Sequence, residues 1–243
     1  MPRLSPEELE RYSRQLPIIG EEGQLKLKST SVLVAGAGGL GSAILYYLAA
    51  AGIGKLIIID DGVVELSNLQ RQVLYNVNDI GRPKAIAAAE KVKSLNPGVE
   101  VVPVTETITE ELLDRYVSQA DIVVDALDNW ATRFLLDKSC WKHYKPLVHA
   151  GVGEFYGQVT VVKRGVTPCL RCIFKNARDR GRGSVIVMAH TPGLVGLLEV
   201  NEVFKLALGY GEPLFNKILL VNLKTSSIDV IELKGFECGD LCE

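Results

Sequence analysis

No run of like charge stands out in this sequence. The 27 lysines and arginines nearly balance 29 aspartates and glutamates, for a net charge of −2, with no block long enough to make a basic arm or an acidic tail. A nucleic-acid partner is therefore not expected. Internal repeats and low-complexity segments are absent too, which excludes solenoids and flexible linkers. The opening stretch MPRLSPEELERYSRQ carries acids early and lacks an apolar core followed by a small-residue cleavage site. It is not a secretory signal, and a cytoplasmic location is expected. The longest uncharged run, Ser29 to Gly54, exceeds the ~20 residues that span a bilayer. Six of its positions are glycine, four of them between Gly36 and Gly41, which breaks it into a strand, a tight turn and a helix. No membrane association is expected.

What is present fits an ordinary folded protein: 47% hydrophobic and 23% charged residues over 243 positions, enough for one large domain or a domain with an appendage. SVLVAG (31–36), KLIIID (55–60), VEVVPV (99–104), ADIVVDA (120–126) and PLVHAG (146–151) are short apolar, β-branched runs. Between them lie helix-like segments at 40–51, 83–95 and 129–143. Strands alternating with helices predict a doubly wound, Rossmann-like, mostly parallel sheet with helices on both faces. After Gly151 the pattern changes. GQVTVVKR alternates like a strand, Gly193 to Leu208 is helical by periodicity, and KILLVNL and SIDVIEL flank the turn-forming KTSS, predicting an antiparallel C-terminal extension.

Gly36-Ala37-Gly38-Gly39-Leu40-Gly41 fits G-x-G-x-x-G between a predicted strand and helix, and Asp60 closes the next strand 24 residues after Gly36. This predicts a nucleotide site in which helix-start amides face phosphate and Asp60 accepts from ribose hydroxyls. Ser67 to Gln72 (SNLQRQ) and Gly81 to Lys84 then supply two cations, Arg71 and Lys84, with Arg14 a third. A triphosphate with its magnesium ion calls for that charge more than a dinucleotide does. Asp128, just past a strand at its carboxyl end, is a candidate magnesium ligand. Asp125 lies within that strand and is either satisfied by hydrogen bonds or a second site residue.

Of five cysteines, Cys169 and Cys172 form C-x2-C, while Cys238 and Cys242 form C-x3-C. Four thiolates so spaced suit a tetrahedral Zn2+ that staples the tail back onto the domain. Cys140 reads as a buried small hydrophobe in a helix. His143, His149 and His190 show no mutual ligand spacing and read as incidental.

RYSRQ (11–15), GAGGLG (36–41), Asp60, SNLQRQ (67–72), GRPKA (81–85), NP (96–97), ALDN (126–129), PCLRC (168–172) and the terminal cysteine pair occur together in this order. In this the chain resembles the ThiF/MoeB/HesA family, relatives of the adenylation domain of ubiquitin-activating enzymes. The second cysteine pair departs from the family's usual C-x2-C. The resemblance implies a single adenylation domain over 1–243, with a nucleotide-binding half at 30–150 and a carrier-binding, zinc-containing half at 151–243. It implies a homodimeric adenylyltransferase that joins the C-terminal Gly-Gly carboxylate of a ubiquitin-like sulfur-carrier protein to the α-phosphate of Mg-ATP, releasing pyrophosphate. Gly36, Gly38, Gly39, Gly41 and Asp60 would hold the nucleotide; Asn68, Arg71, Gln72 and Lys84 would bind phosphates. Asp128 would help hold magnesium, and Arg14 would reach across from the second subunit.

Relatives that form a thioester or persulfide carry a cysteine in the loop after the first zinc pair. Here Ile173 to Pro192 contains none, and Arg178, Arg180 and Arg182 stand there instead. The expectation is an enzyme without an obligatory thioester, which hands the adenylate to a separate sulfur donor. Activation of a small-molecule or tRNA-bound carboxylate, an NAD-binding oxidoreductase and a non-catalytic binding module stay open at this point. The oxidoreductase is disfavoured because no catalytic His, Tyr or Lys constellation accompanies the fold.

Overall fold

The computed structural model describes residues 3–179, 186–235 and 238. Its frame is one eight-stranded sheet ordered β3-β2-β1-β4-β5-β6-β7-β8. The strands are β1 (Ser31–Ala35), β2 (Lys55–Ile59), β3 (Glu100–Val104), β4 (Ile122–Asp125), β5 (Leu147–Gly153), β6 (Tyr156–Val162), β7 (Lys217–Asn222) and β8 (Ser227–Glu232). From β3 through β5 neighbours run parallel, and from β5 through β8 antiparallel.

The central strands are mostly apolar because both faces are covered, with Asp125 and His149 as buried polar exceptions. Side chains still alternate. Val32, Val34, Leu56, Ile58 and Val124 enter one core, while Leu33, Ala35, Ile57, Ile59 and Val123 enter the other. The first core packs against α3 (Gly39–Ala51), α4 (Lys84–Leu95) and α8 (His190–Leu208); the second packs against α5 (Glu110–Val117), α6 (Trp130–Lys142) and the short α7 (Leu170–Ile173).

Ahead of the sheet, α1 (Pro6–Arg11) starts at a Ser5/Glu8 capping box, and α2 (Leu16–Ser29) is kinked at Gly20, where φ is 69°. Asn96 ties this region to the carboxyl end of α3, donating to the Tyr12 hydroxyl at 2.9 Å and to Ala49 O at 2.8 Å.

The expected doubly wound order and the antiparallel extension are both present. Two differences are local. The helix expected from Gly193 begins at His190, since Pro192 falls in its first turn, where a missing N–H costs nothing. The amphipathic α5, capped by Thr109, is short and carries only three buried residues, too few to register as a periodic run. Among the described residues no helix is long and apolar enough to cross a membrane.

Candidate nucleotide site

The sheet order reverses between β1 and β4, and such a switch point opens a crevice beyond the strand ends. The glycine loop leaves β1 there. Gly36 sits at φ 98°, where a β-carbon would lie 2.5 Å from Ala126 O, so only glycine lets the two loops meet. A β-carbon at Gly41 would lie 2.2 Å from Gly36 O; its absence lets α3 begin flush against the strand. Gly38 differs. A β-carbon there would meet nothing nearer than Gln72 Nε2 at 3.8 Å, so protein packing does not require glycine at that point. That leaves open space at the start of α3, where helix amides can meet an anion.

Asp60, at the end of β2, accepts from Ala37 N at 2.8 Å through Oδ2 and from Gly62 N at 2.9 Å through Oδ1. It therefore holds the glycine loop, and each oxygen retains a lone pair for a further donor. Tyr75 pins the same loop from the other side, its hydroxyl lying 2.9 Å from Ala37 O and 3.2 Å from Lys84 O. Burial and the nearby Asp60 and Asp79 charges push that phenol up, so it stays a donor. The Lys84 backbone N–H donates to Gly62 O at 2.9 Å, setting the start of α4 beside Asp60.

The Arg71 guanidinium donates to Ser67 O at 3.1 Å and makes no ion pair among the described residues, which leaves its charge available. Asn68 is buried, its Oδ1 receiving Glu65 N at 3.2 Å, so half of its amide is committed to shaping the turn. Gln72 is 3% exposed, and its Oε1 has no partner among the described residues.

On the β4 side, Asp128 is exposed and among the described residues bonds only to the Asn129 amide, at 3.4 Å. Asn129 caps α6 by accepting from Thr132 N at 2.9 Å. Beneath this loop lies a buried polar cluster. Asp125 Oδ1 receives Leu127 N at 3.1 Å, and Asp125 Oδ2 lies 2.7 Å from His149 Nδ1. Arg133 donates to Leu127 O at 2.5 Å, stands 3.7 Å from Asp125 through Nε, and its guanidinium lies 5.1 Å from the Trp130 ring. Of the two readings open for Asp125, the geometry gives the hydrogen-bonded one.

Tyr75, Arg133 and His149 are thus structural parts of the site that the sequence did not mark. Arg133 alone had a usable signal, one helical turn after the capping Asn129.

Arg14 is not part of this crevice within one chain. It is exposed, and the adjacent Gln15 donates to Ala51 O at 2.9 Å, at the far end of α3, about 20 Å from the glycine loop by helix length.

The Sγ atoms of Cys169 and Cys172 are 3.4 Å apart, close to the edge of about 3.8 Å expected for sulfurs around tetrahedral zinc. Cys172 also shares a hydrogen bond with Cys238, and burial together with Cys238 pushes its thiol up to about 12. Cys169 is itself disulfide-bonded. Among the described residues no group of three or more His, Cys, Asp or Glu is arranged to hold a metal, and Cys242 lies outside them. Asp137 on α6 accepts from Leu170 N at 2.8 Å, fastening the C-x2-C turn to that helix. Cys140 is buried, and burial plus the Asp137 and Asp125 charges push its thiol well up, the opposite of a reactive thiolate. Arg178 is exposed, and Arg180 and Arg182 lie outside the described residues. Next to Arg178, the Asp179 carboxylate accepts from the first α6 amides, Trp130 N at 2.6 Å and Ala131 N at 3.3 Å.

Comparison with known proteins gives a consistent picture. The ThiF family model matches residues 12–242. The SAMP-activating enzyme E1 of Haloferax volcanii is 41% identical over 235 residues, covering 94% of this chain and 86% of that protein. The sulfur carrier protein adenylyltransferase of Thermus thermophilus is 40% identical over 253 residues, covering 98% and 93%. Among solved structures, E. coli MccB with ATP superposes with a TM-score of 0.84 at 25% identity, covering 96% of this chain and 73% of that one.

Proposed function

The chain belongs to the ThiF family and is an adenylyltransferase, and from that premise we propose that it adenylylates the C-terminal Gly-Gly carboxylate of a ubiquitin-like sulfur-carrier protein. The observation that carries this reading is the convergence of three strand ends on one crevice. The glycine loop after β1 is bonded to Asp60 after β2 and lies against Ala126 after β4, two residues before Asp128.

In the reaction a carboxylate oxygen of the carrier attacks the α-phosphorus of ATP. One new C–O–P linkage forms, the bond from the α-phosphorus to the bridging oxygen breaks, and pyrophosphate leaves with that electron pair. No proton needs to move at the attacking atom, so the work is placement and charge stabilisation. Amides at the start of α3, with Gly36, Gly38, Gly39 and Gly41, receive phosphate oxygens, and Asp60 receives the ribose. Arg71, Lys84, Asn68 and Gln72 face the triphosphate, and Arg14 comes from the second subunit of a homodimer, consistent with its distance from the crevice of its own chain. Asp128 offers an exposed carboxylate without an ion pair among the described residues, fitting a magnesium ligand. Magnesium, when bound, supplies positive charge against the departing pyrophosphate.

Residues 30–150 thus serve the nucleotide, and 151–243 the carrier and the tail. Cys169, Cys172, Cys238 and Cys242 are assigned to a structural zinc in the reduced chain, a state that replaces the Cys169 disulfide with a thiolate; the reading is supported by the 3.4 Å sulfur pair and the Cys172–Cys238 bond. With Cys140 buried and the other four committed, the enzyme stops at the acyl-adenylate, which a separate sulfur donor consumes.

The test is direct. Chain, Mg-ATP and a Gly-Gly-ended carrier should give a carrier heavier by one adenylate in mass spectrometry, and a carrier lacking its last glycine should not react. Equal reaction of the truncated carrier would refute the assignment.

A further inference from the structure

Asp128 stands on a segment with little fold of its own, between the last residue of β4 and the N-cap of α6. What fixes it is buried. The amide N–H of Leu127 is held by Asp125 and its carbonyl by Arg133, at 3.1 and 2.5 Å, so the residue before Asp128 is gripped at both ends.

Asp125 has no exposed surface, and a buried carboxylate keeps its place only if both oxygens are satisfied. Leu127 N serves Oδ1. For Oδ2 the near donor is His149 Nδ1 at 2.7 Å, while Arg133 Nε, at 3.7 Å, is too far for a hydrogen bond. The pairing is built into the sheet: Asp125 and His149 are register partners on the parallel strands β4 and β5. The ring is also wedged, with Phe174 and Trp130 at centroid distances of 5.3 and 5.8 Å. A neutral imidazole facing a carboxylate must carry its single proton on the facing nitrogen, here Nδ1.

We propose that His149 is a positioning residue for the adenylylation site: its Nδ1–H holds the Asp125 carboxylate in the orientation that anchors the Leu127 amide, and so fixes where Asp128 presents its own carboxylate. The proposal rests on the ATP-dependent reading above. It contrasts with a core histidine that merely fills space, for which shape alone would matter.

Two variants and one spectrum separate these. His149→Leu keeps bulk and loses the donor; His149→Asn places an amide donor near the Nδ1 position. In His149→Leu, hydrogen exchange at the Leu127 amide should accelerate about tenfold or more. The kcat of carrier-dependent adenylate formation should fall about 10- to 100-fold while KM for ATP moves less than about threefold. His149→Asn should restore both. In the unsubstituted protein, long-range nitrogen–proton NMR should place the ring proton on Nδ1, a readout that needs neither a folded variant nor turnover.

A proton on Nε2, or unchanged Leu127 exchange and kcat in a folded His149→Leu, would overturn the proposal. If the protein forms no adenylate with any carrier, yet Leu127 exchange responds to His149→Leu and not to His149→Asn, the anchoring stands and the reaction assignment fails.

Discussion

The two glycines at 38 and 41 lie three residues apart in one loop, yet they should fail differently when replaced by alanine. At Gly41 the new β-carbon would start 2.2 Å from Gly36 O, against about 3.3 Å for an ordinary carbon–oxygen contact. The carbonyl cannot easily retreat, because Gly36 sits at φ 98° and its N–H is bonded to Ile59 O at 2.8 Å. Overpacking of this kind costs about 3 kcal/mol, offset by about 1 kcal/mol from alanine's better helix propensity. A net loss of about 2 kcal/mol lowers the melting temperature of a chain this size by about 4–8 °C.

At Gly38 the nearest atom is 3.8 Å away, and the cost is the weaker N-cap preference of alanine, about 1 kcal/mol or less. Its methyl instead enters the space assigned to phosphate. Affinity for a non-hydrolysable Mg-ATP analogue, read by titration calorimetry, should therefore drop about tenfold or more in Gly38→Ala, equivalent to about 1.4 kcal/mol. Scanning calorimetry of both variants completes the comparison. Undiminished nucleotide affinity in Gly38→Ala would refute the placement of the phosphates.

Three further outcomes follow from the same geometry. The chain should bind one zinc, and Cys172→Ser should lower metal content and melting temperature together; metal below about half an equivalent in protein purified without chelator would favour thiols and the Cys169 disulfide over a metal site. With enzyme, Mg-ATP and carrier on a non-reducing gel, carrier-adenylate but no enzyme–carrier conjugate should form, and a reductant-sensitive conjugate lost in Cys140→Ala would show that this thiol is reached after all. Burial raises the Asp79 carboxyl, but its bonds to the Asn76 amide, Lys91 and Arg82 hold it on balance below 3.8. A depressed folded-state value gives stability that is present above about pH 4 and lost as the pH falls through it. Asp79→Asn should therefore cost about 2 kcal/mol at pH 7 in urea unfolding, and the gap to the parent should close only as the pH falls through the depressed folded-state value.

The parts of the site legible in the sequence are those whose chemistry is local. A strand, four glycines in six residues and an acid closing the next strand are features of consecutive residues, and the structure brings them together, with Asp60 bonded to the glycine loop at Ala37 N. The position of Asp128, exposed just past the end of β4, was readable for the same reason.

His149 was not, because its partner lies 24 residues away and the two meet only through the β4/β5 register. A single histidine in an apolar strand gives no spacing to read. Tyr75 escaped notice likewise, since its hydroxyl reaches the glycine loop only once the intervening turns are folded. Helix α5 was missed because eight residues with Leu112, Leu113 and Val117 buried give barely two turns of pattern.

The most direct test of the central claim is exchange of labelled pyrophosphate into ATP. The account predicts exchange only when a Gly-Gly-ended carrier is present, and a loss of about 100-fold or more in Asp128→Ala, with the variant's unfolding unchanged because that carboxylate is exposed. Exchange that proceeds equally without carrier, or survives Asp128→Ala intact, would contradict it.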